Sequence, residues 1–428
     1  MAKSRSQGDG VAPHVPADGS RQIRVLVVDY SIGFGGATKS IGLVIRALKG
    51  ATLTILTSQD RAETARWYSG FRVLKFRNLI NYQKLERLRV AVPHGFLRMP
   101  FMKAIAAVSL TSTWWNAVRL LGELRRHPVD LIHLNNGLFP GEVLWVSRVL
   151  RIPCVAHMRG FMSPETVWKE STGVRAIVAV SRCIADEVRA GGFPPTKTPV
   201  VWDPVDLETL GAAAGQREEV RAHYGIAEDE VAVGLFGRVV RWKGALQFAE
   251  ASIRVLAAGG KIRPVIVGDV SDGTQDYMHE VRALVARSPF ADRFVFAGYQ
   301  PAPEGHYHAM DIVVHASIER EPFGMVVPEG MAAGKPVIAA AAGGPLDVVE
   351  PEVDGLLTTP GDIAELAAAI ERLSRDSSLR ERLGARGREK AHERFGVDRA
   401  ARMLIQVWQE ALSAPQPSDA AGRGRVRA

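Results

Sequence analysis

A chain of 428 residues with 46% hydrophobic and 23% charged content exceeds the roughly 250–300 residues at which one core usually splits, so two domains are expected. The net charge of +8 is unevenly spread: 28 basic residues face 14 acidic ones up to position 205, and 26 face 32 beyond it. That asymmetry argues against a nucleic-acid binder, whose basic residues would gather round a recognition motif and stacking aromatics, and suits an anionic acceptor or membrane surface.

Along the chain, residues 1–21 are rich in Gly, Pro, Ser and Ala and lack the apolar core of a signal peptide, so a disordered tail is expected. Short β-branched runs at 23–29, 52–57, 130–134, 153–157 and 175–180 read as strands with helical stretches between most of them. The pattern recurs at 231–236, 262–267, 293–296, 311–314 and 336–339, with helices near 245–257 and 325–333. Two parallel, doubly wound α/β sheets follow. The expected organisation is one domain over residues 22–205, a Pro-bounded turn and small-residue run at 204–215, and a second domain over 206–397. A closing helix at 398–415 and a frayed tail at 416–428 complete it. Cys154 and Cys183, the only cysteines, have neither zinc spacing nor a disulfide framework, which points to a reduced compartment.

Open α/β sheets bind ligands beyond the carboxyl ends of their strands, and the chemistry-bearing residues cluster there. Glu321-Pro-Phe-Gly-Met-Val-Val-Pro-Glu329 follows a strand and enters a helix. A helix start near Gly324 would offer free N–H groups to an anion, and would set Glu321 and Glu329 about 8 Å apart along its axis. One carboxylate would then face a sugar and the other a ribose; two solvated surface glutamates would give the same spacing. Gly237-Arg-Val-Val-Arg-Trp-Lys-Gly244 brings Arg238 and Lys243 to the same sheet edge. Two cations there have a use in stabilising a departing diphosphate.

These motifs, with Met331-Ala-Ala-Gly-Lys-Pro-Val337, resemble family four of the retaining GT-B glycosyltransferases, the glycosyl transferases group 1, over roughly residues 22–410. The resemblance implies two Rossmann-like domains facing a central cleft. It implies a hexosyltransferase-type enzyme of class EC 2.4 that moves a sugar from a UDP- or GDP-linked donor to a hydroxyl of a glycan or lipid-linked glycan. Arg238 and Lys243 would bind the diphosphate, Glu321 the transferred sugar, Phe323, Gly324 and Met325 sugar and phosphate, and Glu329 the ribose. His157, at a strand end, would lie beside the transferred sugar. Gly35 and Gly36, in Gly33-Phe-Gly-Gly-Ala-Thr-Lys-Ser40, match the family's Gly-Gly loop.

Without the family, that loop is one residue short of a P-loop, with Thr38 where glycine should precede Lys-Ser, so an NTPase holding triphosphate through Lys39 and magnesium through Ser40 remains an alternative. A GT-B-like scaffold that binds sugar nucleotide without catalysis is another. His133, Asn135 and Asn136 follow a strand and are candidates on the acceptor side, although turn capping accounts equally for the asparagines. No metal and no other cofactor is expected, because cations already serve the diphosphate. Trp114 and Trp115 with nearby basic residues over 98–126 suit a helix lying on an anionic membrane or one packed on the sheet, and no run reaches the length of a spanning helix. A cytoplasmic location, at the inner face of the membrane, is the corresponding expectation.

Overall fold

The computed structural model describes residues 22–30, 36–58, 62–76, 98–139, 141–270 and 275–414; the two expected tails lie outside them. The chain divides into two compact units, one of residues 1–179, 185–199 and 401–428, the other of 180–184 and 200–400.

In the first unit, β1 (Ile23–Asp29), β2 (Ala51–Thr57), β3 (Arg72–Lys75), β4 (Leu131–Leu134), β5 (Cys154–Met158) and β6 (Val174–Ala179) form a sheet of order β3-β2-β1-β4-β5-β6. In the second, β7 (Val231–Phe236), β8 (Ile262–Val267), β9 (Val295–Gly298), β10 (Ile312–His315), β11 (Val337–Ala340) and β12 (Leu356–Thr358) take the order β12-β11-β10-β7-β8-β9. Every pairing is parallel. Both sheets therefore have the doubly wound 3-2-1-4-5-6 order, whose strand direction of winding reverses beside the first strand. The reversal points lie between β1 and β4 and between β7 and β10.

The inner strands form because helices cover both faces, so every position must be apolar or paired. All positions of β4, β5, β10 and β11 are buried. In the second unit Val233, Ile266, Ile312, Val314 and Ile338 pack with Phe248, Ile370 and Leu373 from flanking helices. The expected strands match the observed ones within two residues at each end, but β3 and β12 were not anticipated. Both are edge strands, of four and three residues, too short for a periodicity to show. Cys154 is buried and Cys183 half-buried, and neither is in a disulfide among the described residues.

The helix Val397–Ser413 begins in the second unit and ends in the first. There its Trp408, with no exposed surface, donates its indole N–H to His133 Nδ1 at 3.2 Å. Trp408→Phe keeps most of the apolar area but leaves that buried nitrogen without its donor, which should cost about 1–3 kcal/mol. Urea denaturation checks this; an unchanged midpoint would mean the hydrogen bond contributes nothing to stability.

Candidate functional site

The second unit assembles its site at the β7/β10 reversal point. After β7 the chain makes a 3-10 turn, Arg241–Lys243, and enters the helix Ala245–Ala257 through Gly244. Gly244 has φ +75°, and a Cβ there would stand 1.9 Å from the carbonyl oxygen of Ala316. Only glycine lets the turn lie this close to the loop after β10, and the Ile318 N–H donates to the Trp242 carbonyl at 2.8 Å to hold it there.

This approach delivers Lys243 Nζ to Glu321 Oε2 at 2.5 Å. The same oxygen meets His315 Nε2 at 3.3 Å and accepts from Ser317 Oγ at 3.2 Å. Glu321 is 8% exposed, His315 4% and Ser317 1%. Burial alone would raise the Glu321 carboxyl, but the His315 hydrogen bond and the Lys243 charge outweigh it and hold the group down at about 2. Glu321 is fixed through its backbone as well: it bridges Gly343, its N–H donates to the Ala342 carbonyl and its carbonyl accepts from Gly344. Gly343, at φ +79°, is required there because a Cβ would come within 2.1 Å of the Glu321 carbonyl oxygen.

Glu321 thus lies in a backbone bridge before the helix. The helix runs Val326–Ala332 and starts two residues after Gly324, whose left-handed φ of +84° excludes it from the helix. Pro328 falls in the first turn, where its missing N–H breaks no helical bond. Glu329 lies one turn in and accepts from the Tyr307 hydroxyl at 2.7 Å. Tyr307 is itself stacked on Phe236 at 3.9 Å between ring centroids, and burial followed by the Glu329 charge keeps its hydroxyl protonated. Phe323 is buried edge-on to Phe395, leaving its backbone as the part able to meet a ligand. Met325 is half-buried. Arg238 is exposed just beyond β7 and pairs with no carboxylate among the described residues. His315, Ser317 and Tyr307 were missed by the sequence reading; His315 stands at a strand end at the reversal point, the same signal that singles out His157.

The first unit gathers a second polar cluster at the β1/β4 reversal point. Asp29, fully buried at the end of β1, accepts from Tyr68, Thr38 and Asn135 at 2.5, 3.0 and 3.2 Å. Arg159, just past β5, donates through Nε to the Asn135 carbonyl and side-chain oxygens, both at 3.1 Å, and through Nη1 to Ser40 Oγ at 3.0 Å. Its Nη2 lies 3.2 Å from His157 Nδ1. Burial draws the guanidinium down to about 9, with Asp29 and Tyr68 opposing, so it is charged at neutral pH. His133 packs edge-on to His157 and Trp408, and burial, then the Arg159 charge, lowers it to about 3.

His133 and Asn135 are accordingly interior groups already engaged with Trp408, Asp29 and Arg159, whereas Asn136 is exposed. Gly36 begins the helix Gly36–Ala47; Gly35 lies outside the described residues. Thr38 and Ser40 turn inward, so the hydroxyl that a P-loop would offer to magnesium is spent on Arg159.

Residues 216–390 match the family model described as Glycosyl transferases group 1, and residues 34–209 the model described as Glycosyltransferase Family 4. The chain is 33% identical over 309 residues to a D-inositol 3-phosphate glycosyltransferase of Streptomyces bingchenggensis, covering 66% of this chain and 67% of that one. It is 33% identical over 217 residues to the 2-deoxystreptamine glucosyltransferase of Streptomyces kanamyceticus, covering 50% and 54%. The lipopolysaccharide core biosynthesis glycosyltransferase LpsD of Rhizobium meliloti is 33% identical over 259 residues, covering 60% and 63%. The chain spans only about half to two thirds of the length of the curated relatives it matches. The solved structure of Anabaena Alr3699/HepE with UDP and glucose shares the fold, with TM-score 0.74, 24% identity, 91% of this chain and 100% of that one covered.

The Glu321 carboxyl gives the site a test of its own. An unfolded glutamate binds its proton near 4.5 and the folded one near 2, so this stabilisation is complete above about pH 4.5 and is lost as pH falls towards 2. Its size is on the order of 3 kcal/mol. Denaturant titrations at pH 7, 4.5 and 3 should show wild type losing stability towards pH 3 more steeply than Glu321→Gln; equal slopes would remove Glu321 from the cluster.

Proposed function

Because the chain belongs to the glycosyl transferases group 1, family 4 of the GT-B glycosyltransferases, we propose that it moves a sugar from a UDP- or GDP-linked donor to a hydroxyl of a glycan or lipid-linked glycan, with retention at the anomeric carbon. The observation that carries this reading is the buried Glu321 carboxylate, held ionised beside Lys243 at the reversal point of the second sheet, with the exposed Arg238 on the same edge. Alr3699/HepE, which shares the fold, was solved with UDP and glucose, and the same donor class suits these groups. LpsD, a lipopolysaccharide core enzyme by name, supports an acceptor in cell-surface glycan synthesis.

The proposed chemistry assigns each group one task. An ionised Glu321 accepts hydrogen bonds from sugar hydroxyls, and Glu329, oriented by Tyr307, accepts from the ribose. The bond from the anomeric carbon to the diphosphate oxygen breaks, and the acceptor oxygen bonds to that carbon on the same face. The acceptor proton passes to the departing phosphate. Arg238 and Lys243 hold the charge that develops there, strongest at the transition state, and no metal is needed for that task.

Thermal-shift measurements should show stabilisation by UDP or GDP; stabilisation by ATP with magnesium alone would overturn the reading. Lys243→Ala should lower kcat about 10²–10³-fold, Glu329→Ala should act mainly on donor KM, and transfer should persist in chelator.

We further propose that the first unit meets an anionic membrane surface. Leu110, Trp114 and Trp115 on the helix Arg98–Arg126 are 69%, 65% and 59% exposed, and Trp145 and Val149 on Gly141–Leu150 are 46% and 45% exposed. Exposed indoles on a basic half of the chain suit the interface of an anionic bilayer. Among the described residues no helix is long and apolar enough to cross one. Co-sedimentation with phosphatidylglycerol vesicles should exceed that with phosphatidylcholine, weaken with salt and fall when Trp114 and Trp115 are both changed to Ser. Equal recovery with both lipids would refute the surface.

A further inference from the structure

His157 and Arg159 are two residues apart at the end of β5, so an extended chain sets both side chains on one face. The guanidinium has five N–H donors and no acceptor. At 3.2 Å from Nη2, His157 Nδ1 can therefore only accept, and an imidazole that accepts at Nδ1 carries its proton on Nε2. Protonating Nδ1 would break this bond and set a second positive charge against Arg159.

Arg159 is in turn held by groups from three other places in the first unit. Its Nε is anchored by both oxygens of Asn135 after β4, its Nη1 by Ser40 on the helix Gly36–Ala47, and its charge faces Asp29 at the end of β1. Asp29 fixes Asn135 through a further hydrogen bond. Among the described residues the imidazole faces Arg159 and His133 on β4, and Arg159 in turn faces Asp29 and Tyr68, whose hydroxyl donates to Asp29. These bonds fix the plane of the guanidinium through Nε and Nη1 and leave Nη2 directed at His157 Nδ1.

We propose that Arg159 is a positioning residue for the sugar-transfer reaction: by donating to Nδ1 it holds His157 neutral with its proton on Nε2. His157 then meets the transferred sugar as a hydrogen-bond donor to an oxygen and does no work as a general base. The acceptor's proton must leave by another route, in accord with its passage to the departing phosphate.

The inference rests on the sugar-transfer reading for its purpose, but its geometry can be read without substrate. Full-length chain labelled with ¹⁵N-histidine gives two ring-nitrogen resonances for each of its 11 histidines, and those of His157 are identified by their disappearance in His157→Gln. In wild type, Nδ1 should show the unprotonated signature and Nε2 the protonated one from pH 8 down to below the ordinary imidazole value of about 6.5. Arg159→Gln should give a mixture of tautomers that titrates near that value. With donor and acceptor present, the same variant should lower kcat by about ten-fold or more with donor KM changed less than about two-fold, and add an acid limb near pH 6.5. Arg159→Lys, which still donates, should restore the tautomer in part. A proton on Nδ1 in wild type, or an unaltered tautomer in a folded Arg159→Gln, would overturn the proposal. If the Arg159 variants do not fold, the wild-type spectrum decides it alone. The stated tautomer in a chain that transfers no sugar would instead defeat the proposed function and leave the role of Arg159 towards His157 intact.

Discussion

A carboxylate cannot be taken out of water alone, and the Glu321 site is built around that constraint. Desolvation would drive the proton onto Glu321 unless donors replaced the lost water; Lys243, His315 and Ser317 do so on a single oxygen. Each donor reaches that point by a different element: the turn after β7, the last residue of β10, and the loop beyond it. The arrangement holds only if those backbones come closer than side chains normally allow. Gly244 and Gly343 permit this, since a Cβ at either would fall within about 2 Å of a carbonyl oxygen. The glycines are thus part of the electrostatics, because they set the distance at which Lys243 and Glu321 compensate each other.

Under the proposed function one lysine would serve two partners. Lys243 neutralises Glu321, which spares the fold an unpaired buried charge. A diphosphate arriving beside it would share the same ammonium, whose three N–H donors allow this, while Arg238 is free of carboxylates among the described residues and needs no exchange. Glu321 has two further partners, His315 and Ser317, on the same oxygen.

Much of this was legible in the sequence, and the omissions have physical reasons. The inner strands were read from unbroken β-branched runs because both faces of a parallel sheet are covered; the edge strands β3 and β12 carry no such run. His315 went unnoticed because the strand was ended one residue early, at Val314, which left the histidine in an apparently irregular segment. Arg159 suffered the same fate two residues past the expected end of β5. The helix start could not be read from Glu321–Glu329, since Gly324 and Pro328 are each compatible with more than one first turn, and only the left-handed φ of Gly324 decides between them. The partnership of Trp408 with His133 spans 275 residues, beyond any local spacing, and it turned a candidate acceptor group into part of the interior.

The two units answer one topological question with the same pair of charges. At each reversal point the strand ends diverge and leave room for polar groups, and each sheet fills that room with a buried carboxylate and a cation enclosed by partners. In the second unit Glu321 is surrounded by Lys243, His315 and Ser317. In the first, Asp29 accepts from Tyr68, Thr38 and Asn135, and the Arg159 guanidinium donates to the oxygens of Asn135 and Ser40. An ionised carboxylate can only accept hydrogen bonds from a ligand, and is suited to sugar hydroxyls. A guanidinium engaged at each of its three nitrogens acts through whatever it holds, and what it holds is His157. Its charge therefore need not touch a substrate to matter, because it fixes which imidazole nitrogen carries the proton.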